Sequence, residues 1–369
     1  STAYHYSCSQ FQIELFHNHF LLFFTIFLSN LINLKLAKDS KFFIYSLFGF
    51  FLIFFIGFRH EIGGDWTAYL NHFENFDTSS IFSIFKSWDI GYAFFEYISS
   101  VFGFGIYGVN TLCAIFFTLS FLYFIKIFNL KLSRALLIAF PYLIMVVAMG
   151  YSRQGVAIGF VMVFFALLYQ RKLLKSLVIL LLATLFHKTA IVSIIVLFLN
   201  RRFINFKTIG ISIPFFVLGL YILLPRLEGF YINYFLEQMQ SSGAVIRILI
   251  NITASIVLII FAKRYKNIFG ENDFEFWKPF IYISIVMFLF AILLNVTTIA
   301  DRILLYFYPL QIVVFSRMLY LIKDKNLKNI CFLGYILFSF LIHFVFLNFG
   351  TYSEYWIPYN NLLFMENLK

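Results

Sequence analysis

Charge is scarce in this chain. Of its 369 residues only 12% are Asp, Glu, Lys or Arg, against about 25% in soluble domains, while 62% are hydrophobic and mean hydropathy is +0.89. That deficit excludes a soluble globular domain and points to an integral membrane protein. Cysteine is equally sparse: Cys8, Cys113 and Cys331 are far apart, and the last two lie inside apolar runs, which excludes a disulfide framework or a thiolate metal site. None of the seven aspartates forms an Asp-x-Asp pair, and neither a glycine-rich phosphate loop nor a metal-spaced His/Cys cluster occurs. A Mg²⁺-dependent nucleotide-sugar enzyme and an ATP-driven machine are therefore disfavoured, and no metal or cofactor is expected. With no low-complexity linker, clear repeat or soluble domain, residues 1–369 read as a single membrane domain.

What the chain has is apolar runs. They lie near 15–34, 42–58, 106–125, 135–150, 154–170, 176–187, 188–200, 208–224, 244–262, 279–297, 303–322 and 330–349. Spanning a hydrocarbon core of about 30 Å takes about 17 to 25 helical residues. Barrel strands would instead alternate polar and apolar residues over about 10 positions. The expectation is an all-α polytopic membrane protein with about 10–12 transmembrane helices. The segment before the first run lacks the basic stretch and cleavage site of a signal peptide, so that run is expected to be a retained span. The runs at 176–187 and 188–200 are short, so 176–200 reads as a hairpin that either crosses or re-enters.

Six short connections, 35–41, 126–134, 171–175, 201–207, 263–278 and 323–329, hold three, three, three, three, four and three Lys or Arg, 19 of the chain's 28. The positive-inside rule puts them in the cytoplasm and both termini, the long segment 59–105 and the loop 225–243 outside. The formal charge of +11 is then mostly topology and calls for no nucleic acid. Within 59–105, "SSIFSIFKSWDIGYAFFEYI" places Phe82, Phe85, Trp88 and Tyr92 at helical spacing, predicting an amphipathic helix in the outer interface.

Of the other basic residues, Arg317 can snorkel to the cytoplasmic surface and Lys86, Arg226 and Lys369 can be solvated outside. Arg59, Arg153, Lys188, Arg247 and Arg302 remain, each at or just inside an outer span end. An insertion cost of roughly 2.5 to 3.5 kcal/mol per charge favours a polar cavity or a partner for such residues. Five on one leaflet suggest an anion site; separate snorkelling to headgroups is the alternative. In "MGYSRQGVAIG" (149–159) a polar turn with Arg153 and Gln154 opens a helix, a geometry suited to phosphate. In "TIADRILLYFYP" (298–309) Asp301 and Arg302 read either as part of that site or as an N-cap with its paired arginine. His187 and Lys188 interrupt the apolar hairpin. In "FRHEIGGDWTAYL" (58–70), Gly63 and Gly64 allow a sharp turn that returns Glu61 and Asp65 toward the membrane, while Trp66 and Tyr69 suit an aromatic belt or sugar stacking.

Taken in order, "FRHEIGGDWTAYL", "SRQGVAIGF", "LATLFHKTAIV", "ADRILLYFY" and "YWIPYN" (355–360) resemble the EpsG branch of the Wzy-type polysaccharide polymerases. The resemblance implies a multi-pass enzyme of the bacterial inner membrane. Such an enzyme joins undecaprenyl-pyrophosphate-linked oligosaccharide repeat units on the periplasmic face into O-antigen, other lipopolysaccharide or related surface polysaccharide. It implies lipid-linked donor and acceptor, membrane lipids and a chain-length regulator protein as partners. It also implies that Arg59, Arg153 and Arg302 bind the donor pyrophosphate. Lipid pyrophosphate is already a good leaving group, so guanidinium forks need only hold its charge. The acceptor hydroxyl needs a general base, for which Asp65, Glu61 and His187 are the candidates. The rival functions are an O-antigen ligase, for which 225–243 is a short late loop, and a flippase or other transporter of the same lipid-linked unit.

Overall fold

The computed structural model describes residues 38–87, 89–224, 243–294 and 296–364, with side chains from residue 43 onward. The expected run at 15–34, Cys8, Trp88, Lys369 and the loop 225–243 with Arg226, except Gly243, lie outside the described residues. Helix α1 spans Lys38–Gly57, α2 Trp66–Glu74, α3 Ile90–Val101, α4 Gly105–Ile127 and α5 Leu132–Ala139, the last continuing as a π-helix over Phe140–Ala148. Then come α6 (Ser152–Tyr169), α7 (Leu173–Phe186), a 3-10 turn over Lys188–Ile194, α8 (Ile195–Leu199) and α9 (Phe206–Leu223). The chain continues with α10 (Ala244–Ile260), α11 (Ala262–Phe269), α12 (Glu271–Leu293), α13 (Thr297–Leu304), α14 (Pro309–Leu321) and α15 (Lys325–Phe349). Arg59–His60 (β1) and Asn360–Asn361 (β2) form a two-residue antiparallel pair, Arg59 opposite Asn361.

Among the described residues nearly all regular structure is helical and the strands are a single two-residue pair, so the protein is an all-α polytopic membrane protein. Five described helices, α4, α6, α9, α12 and α15, are long and apolar enough to cross a bilayer, and seven spans result if two bent pairs count as one each. The pairs are α10 with α11, bent by 77°, and Thr297–Phe307 with Pro309–Leu321, bent by 60° where Pro309 opens the second limb. The other expected runs are shorter apolar helices within 43–57, 132–148, 173–186 and 188–199. At 1.5 Å per residue the 14 residues of α7 reach about 21 Å, less than the hydrocarbon thickness.

The chain divides into two compact units. One comprises residues 1–122, 131–156 and 331–369, the other 123–130 and 157–330. In the first, α1 packs closely on α4: a Cβ on Gly57 would lie 2.9 Å from Thr111 Cα. The π-helix begins where Pro141 removes a backbone donor from the ladder, and its Met145 carbonyl accepts from Trp356 Nε1–H at 2.7 Å. Tyr359 donates to the Phe55 carbonyl at 2.8 Å, so the C-terminal segment is fastened to α1 as well.

The second unit is built on aromatic packing and on buried ion pairs, of which Arg317 with Asp273 is the more deeply enclosed. Phe128 and Trp277 lie 4.9 Å apart, Phe165 and Phe280 4.8 Å. Arg317, 6% exposed, donates to Asp273 at 2.8 Å, to the Phe128 carbonyl at 2.6 Å and to the Tyr265 hydroxyl. Tyr265 and Tyr169 donate to the same carboxylate at 2.7 and 3.2 Å. Arg317 therefore meets an internal carboxylate rather than snorkelling to water. Removing one partner of such a pair leaves an uncompensated buried charge, at a cost of about 3 to 5 kcal/mol. Asp273→Ala should accordingly lower the unfolding temperature of the detergent-purified protein markedly, and adding Arg317→Met should recover much of the loss. An unchanged temperature in the single variant would contradict the assignment.

The segment 59–105 departs from expectation. Instead of one amphipathic helix it forms a 3-10 turn over Ile81–Lys86, capped by Ser80, and then α3. Ser87 and Asp89 are extended, which breaks the helical period between them. Phe82 and Phe85 are 72% and 68% exposed, but Tyr92 is buried.

Candidate functional site

In the first unit the motif 58–70 is folded onto the starts and ends of helices. Arg59 is 1% exposed, and its guanidinium donates to the Ile56 carbonyl at 2.6 Å, Asn110 Oδ1 at 2.9 Å and Ser152 Oγ at 2.7 Å. It joins the end of α1, the body of α4 and the first residue of α6. Burial lowers its pKa from the usual guanidinium value.

Next in sequence to Ser152 is Arg153, at the positive end of the α6 dipole. Its Nη1 donates to Asp89 Oδ2 at 2.8 Å, and its guanidinium lies 5.2 Å from the centre of the Tyr69 ring. The Arg153 side chain is 28% exposed and that of Asp89 9%. Held by a carboxylate on one side and an aromatic face on another, the guanidinium has a fixed orientation with one part open. Arg153 Nε and Gln154 Nε2 are buried without a hydrogen-bond partner among the described residues. Such a group suits a polyanion, whose oxygens satisfy donors that no protein acceptor reaches.

The same unit carries a histidine and a carboxylate that sequence reasoning missed. His72, near the end of α2, bonds through Nδ1 to Glu96 Oε1 of α3 at 2.8 Å. Glu96 is fully buried, and its Oε2 has no hydrogen-bond partner among the described residues. Burial raises the Glu96 pKa, and the bond to Glu96 raises that of His72. A signal was available: Tyr92, Glu96 and Ser99 share one buried face at helical spacing, so Glu96 points inward among apolar residues. Asp89 was missed too, since its partner Arg153 lies 64 residues on in the chain.

Other expected residues divide as follows. Glu61 is exposed, in the left-handed region at φ 54, with Oε1 3.7 Å from His60 Nε2. Asp65 occupies the N-cap position of α2 without a side-chain cap bond. Trp66 and Tyr69 are 8% and 5% exposed; Trp66 packs edge-on to His60 at 5.8 Å, and Tyr69 lies against Tyr92 at 5.3 Å and under Arg153. Protein groups occupy these rings, which leaves little face for a sugar.

In the second unit His187 Nδ1, Thr189 Oγ1 and Tyr306 Oη form a triangle of 2.7 to 2.9 Å, joining the hairpin tip to the bend before Pro309. Lys188 follows in the 3-10 turn and is half-buried. Asp301 is not an N-cap: it lies late in α13 and binds Arg247 in a fork, with Nε and Nη2 contacts of 2.6 to 3.0 Å. The pairing across elements wins because both groups are largely buried, whereas Arg302 beside it is exposed.

Comparison with known families matches the EpsG family over residues 42–361, most of the chain. The protein belongs to the EpsG family. EpsG-like polymerases stand within the Wzy-type group, so this member is a membrane protein of polysaccharide biosynthesis and a glycosyltransferase-type polymerase. Lipid-linked sugars and membrane lipids are its implied partners. Neither the curated proteins nor the solved structures compared with it gave a match.

The two glycines of the EpsG-family motif at 58–70 have different duties. Gly63 has φ +105, and a Cβ there would lie 2.7 Å from Gly150 Cα; Gly64 has open space, its nearest neighbour being Tyr355 at 4.0 Å. Gly63 alone allows the close approach. Gly63→Ala should destabilise the purified protein by about 1 to 3 kcal/mol and expose the 59–66 turn to limited proteolysis. Gly64→Ala should match the parent in both measurements. Equal behaviour of the two variants would contradict this reading.

Proposed function

We propose that this EpsG-family protein polymerises undecaprenyl-pyrophosphate-linked oligosaccharide repeat units on the periplasmic face of the bacterial inner membrane. The growing chain leaves its lipid carrier and is joined to a sugar hydroxyl of a new lipid-linked unit. O-antigen and related surface polysaccharides are the products this reading covers. The observation that carries it is the Arg153 site: a guanidinium oriented by Asp89 and Tyr69 at a helix N-terminus, with unsatisfied buried donors beside it. A leaving pyrophosphate gains negative charge as the glycosidic bond to it breaks, and a preoriented guanidinium stabilises that charge without reorganising.

Under this reading the arginines have separate tasks. Arg153, with Gln154 beside it, contacts the donor pyrophosphate, while Arg59 is a positioning residue that fixes the start of α6 through Ser152. Asp65 and Glu61 border the acceptor side of the folded loop. In the second unit Arg302 is exposed and Lys188 half-buried, and Arg247 holds Asp301. His187 braces the hairpin tip through Thr189 and Tyr306.

Arg153→Ala should reduce chain lengthening by about 100-fold or more while the protein still inserts in the membrane. Arg153→Lys should recover only part of the activity, since an ammonium lacks the planar fork. Both are read from the polysaccharide ladder of cells carrying each variant as their only copy. Polymer of normal length from Arg153→Ala would overturn the assignment.

A further inference from the structure

The polymerase reading needs a group to take the acceptor's proton, and the loop between α1 and α4 holds a pair suited to it. His72 is on α2 and Glu96 on α3, and the 2.8 Å bond joins Nδ1 to the carboxylate. The carboxylate is the buried partner and the imidazole the accessible one, with side-chain exposures of 0% and 32%. A carboxylate bonded to Nδ1 fixes the tautomer with hydrogen on Nδ1 and the lone pair on Nε2, the arrangement that activates a hydroxyl in hydrolytic triads. Tyr69, three residues before His72 on the same helix face, carries the Arg153 guanidinium on its ring.

We infer that His72 is the general base of the transfer and that Glu96 is its positioning residue. This rests on the proposed polymerase function. In the step, the acceptor hydroxyl gives its proton to Nε2 of His72. Its oxygen forms a bond to the anomeric carbon of the donor sugar. The bond from that carbon to the pyrophosphate oxygen breaks, and the electron pair leaves with the lipid pyrophosphate beside Arg153. The imidazolium then releases its proton to water.

The charged groups acting on His72 come from three places: Glu96 of α3, Asp89 just before α3 and Arg153 of α6. Glu96 and Asp89 raise its pKa and Arg153 opposes them, with the hydrogen bond to Glu96 the largest influence. The Phe76 ring stacks on the imidazole at 6.3 Å and adds no charge. The base works when neutral, so transfer rises with pH through the His72 pKa. That midpoint lies above the ordinary histidine value in the parent and moves down in Glu96→Gln.

The test uses the full chain in lipid nanodiscs, with lipid-linked repeat units extracted from cells lacking it and undecaprenyl pyrophosphate as the binding probe. His72→Gln should slow polymer formation by about 100-fold or more and leave binding of the probe unchanged. Glu96→Gln should keep measurable activity with the acidic limb of its pH profile shifted to lower pH. A parental rate in His72→Gln overturns the base assignment, and so does loss of probe binding, which would mark a structural residue. An unmoved acidic limb in Glu96→Gln overturns the positioning role. If the parent itself joins no repeat units, the polymerase reading fails first, and the base assignment with it.

Discussion

Arg59 is the residue on which the first unit's polar architecture depends. A guanidinium withdrawn from water costs several kcal/mol unless its donors are met, and here a carbonyl from α1, an amide from α4 and a hydroxyl from α6 accept from its two Nη groups, while Nε has no hydrogen-bond partner among the described residues. Because the three acceptors come from three helices, satisfying the charge also fixes those helices together. Its backbone adds a second constraint through the pairing with Asn361, which ties the C-terminal segment to the same point. The adjoining turn is closed by Gly63 against Gly150, and Gly150 in turn lies under the Trp356 ring, 2.5 Å from where a Cβ would be. A charge, a strand pair and two close backbone approaches therefore place the start of α6.

That placement gives the neighbouring residues their chemistry. Ser152 is spent on Arg59, so Arg153 begins the helix facing Asp89 and Tyr69. The segment 66–101 then serves two ends. Its exposed Phe82 and Phe85 suit the membrane interface, while α2 and α3 hold His72, Glu96 and Asp89 against the helix starts. The Arg153 guanidinium and a histidine with a carboxylate partner lie within one compact unit, and both are partly open. The second unit has ion pairs of its own, Arg317 with Asp273 and Arg247 with Asp301.

The fold was legible in the sequence wherever hydrophobic length carried the signal. Apolar runs at 106–125 and 154–170 correspond to α4 and α6, because no charged residue interrupts them. The family was legible too, since its motifs are local and ordered. What failed was anything decided by a distant partner. Asp301 with Arg302 read either as part of an anion site or as a cap with its paired arginine, yet Asp301 is held in a fork by Arg247, 54 residues earlier. The helical spacing across 79–98 was real, but Ser87 and Asp89 adopt extended backbone, and Asp89 turns to Arg153, 64 residues on. Arg59 stood out as a charge at a span end; that Asn110 and Ser152 would enclose it is a property of packing, which no local pattern records. Arg153 was readable as a charge at a helix start, and of the residues missed Glu96 left a readable trace, a carboxylate on the buried face of its helix.

The claim that this EpsG-family chain forms glycosidic bonds at the expense of a lipid pyrophosphate is tested most directly by stoichiometry. Purified protein in sealed vesicles would receive lipid-linked repeat units, and new glycosidic bonds and freed undecaprenyl pyrophosphate would be counted in the same samples. The account predicts one undecaprenyl pyrophosphate released for each bond formed, with polymers longer than a single repeat. Repeat units carried across the bilayer with no new bond and no released pyrophosphate would contradict it.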